Sequence, residues 1–248
     1  MDNLISSAEP KLDRIGVVDL HAAQTQGFTN FPVDEIKCRY FFFTHLKHEL
    51  GSLDDVVLIF PDGSSYGRYQ NDIKHFGLKH AVISKSRPEH NLAKIDHYIG
   101  DSPKSKIAVI IDDMVDTGGT TLNAGYETMD LGAKEVRAYC THFLASTKIV
   151  RDKETNKVKE IIFAEDRFKE SGMKVYSFTT IPRTNEYRKE HGAWLTQFSI
   201  APYITDLIRC NTIGESHGEK IKGYKEISEK GNAIELRKEV ERMAIKDQ

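Results

Sequence analysis

Cysteine is scarce in this chain of 248 residues: Cys38, Cys140 and Cys210 lie far apart, and no C-x-x-C pair exists. That excludes the usual zinc spacings and a disulfide framework, and makes a reducing cytoplasm the simplest setting. An excess of charge is lacking as well. The formal net charge is −2, from 35 Lys+Arg and 37 Asp+Glu, so no bulk attraction to nucleic acid or to a membrane is implied. No apolar run is long enough to span a bilayer, and "MDNLISSAEPKLDR" at the start lacks the apolar core of a signal peptide. Two nucleotide-binding signatures are missing: no G-x-x-x-x-G-K-[ST] string occurs, and no G-x-G-x-x-G follows a strand. Internal repeats and low-complexity tracts are absent too. What is left has an ordinary globular balance, 39% hydrophobic and 29% charged. The length suits one large domain, or one domain and part of another.

Within that composition, strand-like runs alternate with helical patterns. "RIGVVDLHA" (14–22) reads as a strand, and "FPVDEIKCRYFFFTHLKHEL" (31–50) as a turn followed by a helix. "DVVLIFPDG" (55–63) is a strand closed by a Pro-Asp-Gly loop, and "SYGRYQNDIKHFG" (65–77) a helix with Gly77 past its end. "KHAVISKSRPEHN" (79–91) is a strand entering a basic loop. "KIAVIIDD" (106–113) is a buried strand, "TTLNAGYETMDLGA" (120–133) a helix with Gly132 near its C-cap, and "EVRAYCTHFL" (135–144) another strand. This β-α-β-α-β alternation predicts a parallel sheet with helices on both faces. The charged "STKIVRDKETNKVKE" (146–160) predicts a solvated excursion or a hairpin. "GMKVYSFTTIP" (172–182) and "LTQFSIAPYITDLIRC" (195–210) resume the rhythm, and "EKGNAIELRKEVERMAIKDQ" (229–248) reads as one charged amphipathic helix.

The chemistry concentrates in "AVIIDDMVDTGGTT" (108–121). A turn leading into a helix offers backbone N–H groups and the positive end of the helix dipole, so phosphate groups bind there readily. Gly118 and Gly119 leave room for close backbone approach, and Thr117, Thr120 and Thr121 add hydroxyl donors. A bare phosphate would be repelled by Asp112, Asp113 and Asp116. A sugar phosphate would not, because carboxylates accept hydrogen bonds from vicinal hydroxyls and hold Mg2+ through water. Neighbours in an extended segment point to opposite sides, so Asp112 and Asp113 are expected to do different jobs. A lone "DTGG" would be as readily an ordinary capped turn; the full string, with a strand before it and a helix after, is far more specific.

At this string the sequence resembles the phosphoribosyltransferase-type fold and, within it, the ribose-phosphate pyrophosphokinase (phosphoribosyl diphosphate synthetase) family. "VVDLHAAQTQGFTNFPVD" (17–34) is similar to the family's D-L-H-A-x-Q-x-Q-G-F-F-x-x-P-V-D segment. "FPDGSSYGRY" (60–69) matches its P-D-x-G-G-x-x-R loop in part, and "SKSRPEHN" (84–91) its K-x-R segment. "EVRAYCTHFL" and "FSIAPYITDLIRCNTIGES" (198–216) match later segments, so the likeness covers residues 1 to about 216. It implies an α/β, phosphoribosyltransferase-like parallel sheet with flanking helices, plus the remnant of a second similar domain. The expected division is 1–36 for that remnant, 37–222 for the main domain and 223–248 for a C-terminal helical extension.

The resemblance also implies an activity, the transfer of the terminal diphosphate of ATP to the C1 hydroxyl of ribose 5-phosphate, with Mg2+. Lys85 and Arg87 become the candidates for catalytic positive charge, since diphosphoryl transfer needs it where oxygens become more negative. His21 matches a histidine near ATP and metal, and Asp62 a metal-associated aspartate. Asp112, Asp113, Asp116 and Thr117, Gly118, Gly119, Thr120 and Thr121 match the ribose 5-phosphate loop. The implied partners are ATP, a sugar phosphate, and either further copies of the chain or a chain supplying the family's first domain. Family segments that precede "MDNLISSAEPKLDR" have no counterpart. Ser64 and Ser65 replace a glycine pair, and a charged insertion follows "THFLASTK". These departures fit a divergent member, with an acceptor such as a larger compound bearing a ribose 5-phosphate unit. Two alternatives remain open: a phosphoribosyltransferase that uses the diphosphorylated sugar, and a non-catalytic regulatory homologue that binds sugar phosphate.

Overall fold

A computed structural model describes residues 12–84, 97–152 and 154–245. The chain begins with β1 (Ile15–Val18), a 3-10 turn (Ala23–Phe28), β2 (Val33–Ile36) and α1 (Arg39–Leu50). Then come β3 (Val56–Phe60), α2 (Gly63–Phe76), β4 (Lys79–Ser84), β5 (His97–Gly100), β6 (Ile107–Val115), α3 (Gly119–Asp130) and β7 (Glu135–Phe143). After these follow β8 (Lys148–Arg151), β9 (Val158–Ile162), α4 (Ala164–Ser171), β10 (Lys174–Phe178), α5 (Asn185–His191) and β11 (Leu195–Phe198). The last elements are α6 (Ala201–Ile213), α7 (His217–Lys230) and α8 (Ala233–Met243). Among the described residues the chain forms two compact units, one of 12–51 with 199–245 and the other of 52–198. These limits differ from the divisions at 36/37 and 222/223 expected from the resemblance.

The unit of 52–198 holds a seven-stranded sheet in the order β11-β10-β7-β6-β3-β4-β5. Every neighbouring pair is parallel except β4 and β5. All five residues of β3 are buried, as are Ala108–Ile111 of β6. Unbroken burial of this kind marks strands covered on both faces. The chain moves one way along the sheet from β3 to β4 and the other way from β6 to β7. Right-handed crossovers therefore put α2 on one face and α3, α4 and α5 on the other. On the second face Phe168 of α4 stacks on Trp194 with ring centroids 5.8 Å apart, and both meet Phe143. The charged stretch after β7 takes the hairpin form, with Ile149 opposite Ile161 across β8 and β9.

The other unit pairs β1 with β2 in parallel, Ile15 opposite Val33 through Val18 opposite Ile36. In α1, Tyr40 through Leu46 are all buried, and α1 packs against α7 and α8. Lys47 Nζ donates to the carbonyls of Ser228 and Glu229 at 2.6 and 2.8 Å, placing a cation at the negative end of α7. Arg242 of α8 pairs with Asp206 and Glu239 and lies over the rings of Tyr203 and Tyr224.

Several elements depart from the sequence expectations. Residues 31–50 are not a turn and a helix alone: "VDEI" forms β2 first. The single helix expected over 229–248 is two, because Asn232 caps a new one. Its side chain accepts from Ile234 and Glu235 N–H, and Glu235 answers in a capping box. Edge strand β5 and helices α4 and α5 were not foreshadowed. The helix expected from residue 120 starts at Gly119 and stops at Asp130.

Candidate functional site

In an open α/β sheet, ligands bind beyond the carboxyl ends of the strands, where the chain reverses its direction along the sheet. Here that point lies between β3 and β6. The carboxyl end of β3 leads into Asp62, and that of β6 carries Asp112 and Asp113 and leads through Asp116–Thr117–Gly118 into α3. The stretch singled out from sequence and the loop after β3 thus meet at one place because the topology reverses there.

Asp112 and Asp113 are joined by one cation that the sequence reading did not name. Arg68, on α2, places Nη2 3.2 Å from Asp112 Oδ1 and Nη1 2.8 Å from Asp113 Oδ1. The Asp113 N–H also donates to Asp112 Oδ1 at 3.0 Å. Strand alternation predicted different jobs for the two carboxylates; in the structure the planar fork of a single guanidinium spans both. The signal was present, because Arg68 occupies the last position of the P-D-x-G-G-x-x-R likeness. The Asp113 side chain is 7% exposed and that of Asp112 18%. Burial pushes the Asp112 carboxyl up to about 7, helped by the hydrogen bond and negative charge of Asp113 and opposed by Arg68.

The loop after β6 opens directly onto the amino end of a helix. Gly118 caps α3 in the left-handed conformation, φ 73°, and no side chain caps that helix. A Cβ at 118 would lie 2.6 Å from Phe168 Cε2, so only glycine fits there. Arg167 Nη1 donates to the Thr117 carbonyl at 3.0 Å, and Ser146 N–H donates to the Asp116 carbonyl, also at 3.0 Å. Asp116 and Thr120 are exposed, Thr117 and Gly119 half-buried, and Thr121 buried. The loop and the carboxylate pair occupy the same carboxyl edge.

Asp62 stands at that edge too, but its Oδ1 accepts the Ser65 N–H at 2.7 Å, in a capping box at the start of α2. Ser65, one of the two residues standing where the resemblance has a glycine pair, therefore has a structural task. His21 belongs to the other unit, is exposed, and follows Asp19, whose carboxylate accepts the Cys38 N–H at the start of α1. Lys85 and Arg87 lie outside the described residues. No group of three or more His, Cys, Asp or Glu that could hold a metal occurs among the described residues. Two adjacent carboxylates nevertheless suit Mg2+, which keeps most of its waters and takes one or two carboxylates plus substrate phosphate oxygens. Cys140, opposite Asp112 in the ladder, is fully buried, and burial and both aspartates raise its thiol well above the usual range. Among the described residues no helix is long and apolar enough to cross a membrane.

A family model described as the phosphoribosyl transferase domain matches residues 54–177, half of the chain. A ribose-phosphate pyrophosphokinase of Clostridium perfringens is 39% identical over 155 residues, 60% of this chain and 47% of that protein. One from Clostridium acetobutylicum is 30% identical over 197 residues, 79% of this chain and 56% of that protein. The crystal structure of phosphoribosylpyrophosphate synthetase from Mycobacterium smegmatis superposes with a TM-score of 0.68 at 30% identity, over 86% of this chain and 62% of that one. The chain spans about half the length of the curated relatives it matches. A fold with its ligand edge between β3 and β6 and a glycine-threonine loop closing β6 agrees with both kinds of likeness: the chain belongs to the phosphoribosyl transferase domain family, among the relatives of the ribose-phosphate pyrophosphokinases.

Proposed function

We propose that the chain performs ribose-phosphate diphosphokinase chemistry, moving diphosphate from ATP to the C1 hydroxyl of ribose 5-phosphate or of a related acceptor, with His21 near ATP. The observation that carries this reading is the pairing, on one sheet edge, of an uncapped glycine-led helix start with the Asp112–Asp113 carboxylates. The Gly118–Gly119 backbone and Thr117, Thr120 and Thr121 hold the 5-phosphate at the amino end of α3. Asp112, Asp113 and Asp116 accept hydrogen bonds from the ribose hydroxyls, which fixes C1 relative to ATP. The C1 oxygen attacks the β-phosphorus as the bond from that phosphorus to the α–β bridging oxygen breaks; AMP leaves and the hydroxyl proton is released. Lys85 and Arg87 supply the positive charge that this loose transition state requires. Mg2+, when bound, would neutralise phosphate charge; in the unit of 52–198 Asp62 and the carboxylate pair are the residues that would hold it, and His21 is a separate metal candidate carried by the other unit.

By the same reading, 1–36 corresponds to part of the family's first domain, 37–222 to the second, and 223–248 to an extension. The partners in this reading are ATP, the sugar phosphate, and further copies of the chain or a chain that brings first-domain residues. The test is AMP formation from ATP that depends on both ribose 5-phosphate and Mg2+, with this chain alone and with a first-domain protein added. AMP in neither case, together with calorimetric binding of ribose 5-phosphate, would replace the reading by that of a regulatory homologue. Diphosphate release that depends on a nucleobase would instead mark a phosphoribosyltransferase.

A further inference from the structure

The structure assigns Arg167 a task that the catalytic reading does not use: it locks the orientation of the Thr117–Gly118 peptide at the mouth of the phosphate loop. The inference rests on the reading of this loop as an anion cradle. In a trans peptide the C=O and the next N–H lie in one plane and point in opposite directions. Arg167, on α4, holds the Thr117 carbonyl at 3.0 Å. That carbonyl is kept on the side of α4, and the Gly118 N–H is turned to the opposite side. Were the plane to rotate, a carbonyl oxygen would enter the space where phosphate oxygens must sit, and one donor would be lost.

Three observations make Arg167 the deciding contact. Gly118 has no Cβ, so its own φ does not forbid either orientation of the peptide before it. The helix that follows has no side-chain cap to pin its first residues. The preceding peptide is already fixed through the backbone, by Ser146 N–H on the Asp116 carbonyl, and among the described residues Arg167 is the side chain that reaches the Thr117 carbonyl. Phe168, the next residue of α4, lies under Gly118, so this helix forms both the floor of the loop and its latch. Arg167 is thus a positioning residue, acting on the substrate through the backbone.

The experiment compares the wild-type chain with Arg167→Met and Arg167→Gln. Peptide orientation is read from crystal structures of all three and from the 15N–1H residual dipolar coupling of Gly118 in solution. The affinity for ribose 5-phosphate is read by calorimetry. Arg167→Met should rotate or disorder the 117–118 plane and weaken ribose 5-phosphate binding roughly 10- to 100-fold, the effect of one N–H donor to a charged group. Its melting temperature should fall by less than about 4 °C. Arg167→Gln, which keeps a shorter donor, should lie between. An unchanged plane in both variants overturns the inference. If wild type binds no ribose 5-phosphate, the proposed function falls, while the orientation of the plane still decides the role of Arg167.

Discussion

Two carboxylates and one guanidinium set the pH behaviour of the candidate site. The folded chain holds a proton on Asp112 up to about pH 7. The unfolded chain releases it near the ordinary value of 3.8. Because the folded pKa is the higher one, the contribution to stability is complete below about pH 4 and is lost as pH rises through 7. Without Mg2+ or ligand, the difference in unfolding free energy between wild type and Asp112→Asn should decline between pH 4 and pH 8. The decline has an upper bound of about 4 kcal/mol; urea titrations across that range would refute the assignment by showing a flat difference. Arg68→Met removes the cation that both aspartates share. It should cost about 1–3 kcal/mol at pH 8, where Asp112 is charged, and less at pH 5, where it holds its proton. Equal losses at the two pH values would show that Arg68 acts through packing alone.

At the scale of elements, the start of α3 depends on a glycine that its left-handed backbone and Phe168 together enforce. Gly118→Ala places a side chain in the left-handed region and against Phe168, so a loss of at least about 2 kcal/mol is expected from backbone and overpacking together. Adding Phe168→Leu should return the packing part only. Complete recovery in thermal melts would remove the backbone argument. The helix break at 231–232 gives a simpler check: Asn232→Ala should cost about 1 kcal/mol through loss of the α8 cap. Strands β3 and β6 were legible in the sequence because "VVLIF" and "IAVII" are buried on both faces and so read as unbroken apolar runs. The turn at 116–118 and the helix after it were legible because paired glycines break such a run and the helical pattern resumes behind them. Strand β2 was not, since "VDEI" is half polar and pairs only with β1, and tertiary pairing rather than local preference makes it a strand. Nor was β5, a four-residue antiparallel edge. Arg68 stood in the P-D-x-G-G-x-x-R likeness, but its partners Asp112 and Asp113 lie far along the chain; Arg167 escaped because it reaches from a helix to a loop carbonyl, a relation that no spacing along the chain reveals.

For the molecule as a whole, the division into units has a direct test. The 52–198 segment contains its entire sheet and the aromatic cluster of Phe143, Phe168 and Trp194. Expressed alone, it should unfold in a single cooperative transition. A non-cooperative melt, or a gradual one, would mean that the core needs the other segments. The other unit is assembled from stretches separated by almost 150 residues (52–198), and this bears on the order of events at the ribosome. Domains tend to form as the chain emerges. The sheet of 52–198 can close once Phe198 has left the exit tunnel. At that moment α1 has been outside for longer, yet the helices that pack on it, α7 and α8, have still to emerge. Tyr40 through Leu46 are buried in the finished fold, and the cover that α7 and α8 give to α1 comes only after the sheet. The interval of greatest aggregation risk for α1 therefore runs from the closing of the sheet to the emergence of α8, after the edge that carries Asp62, Asp112 and Asp113 is already built.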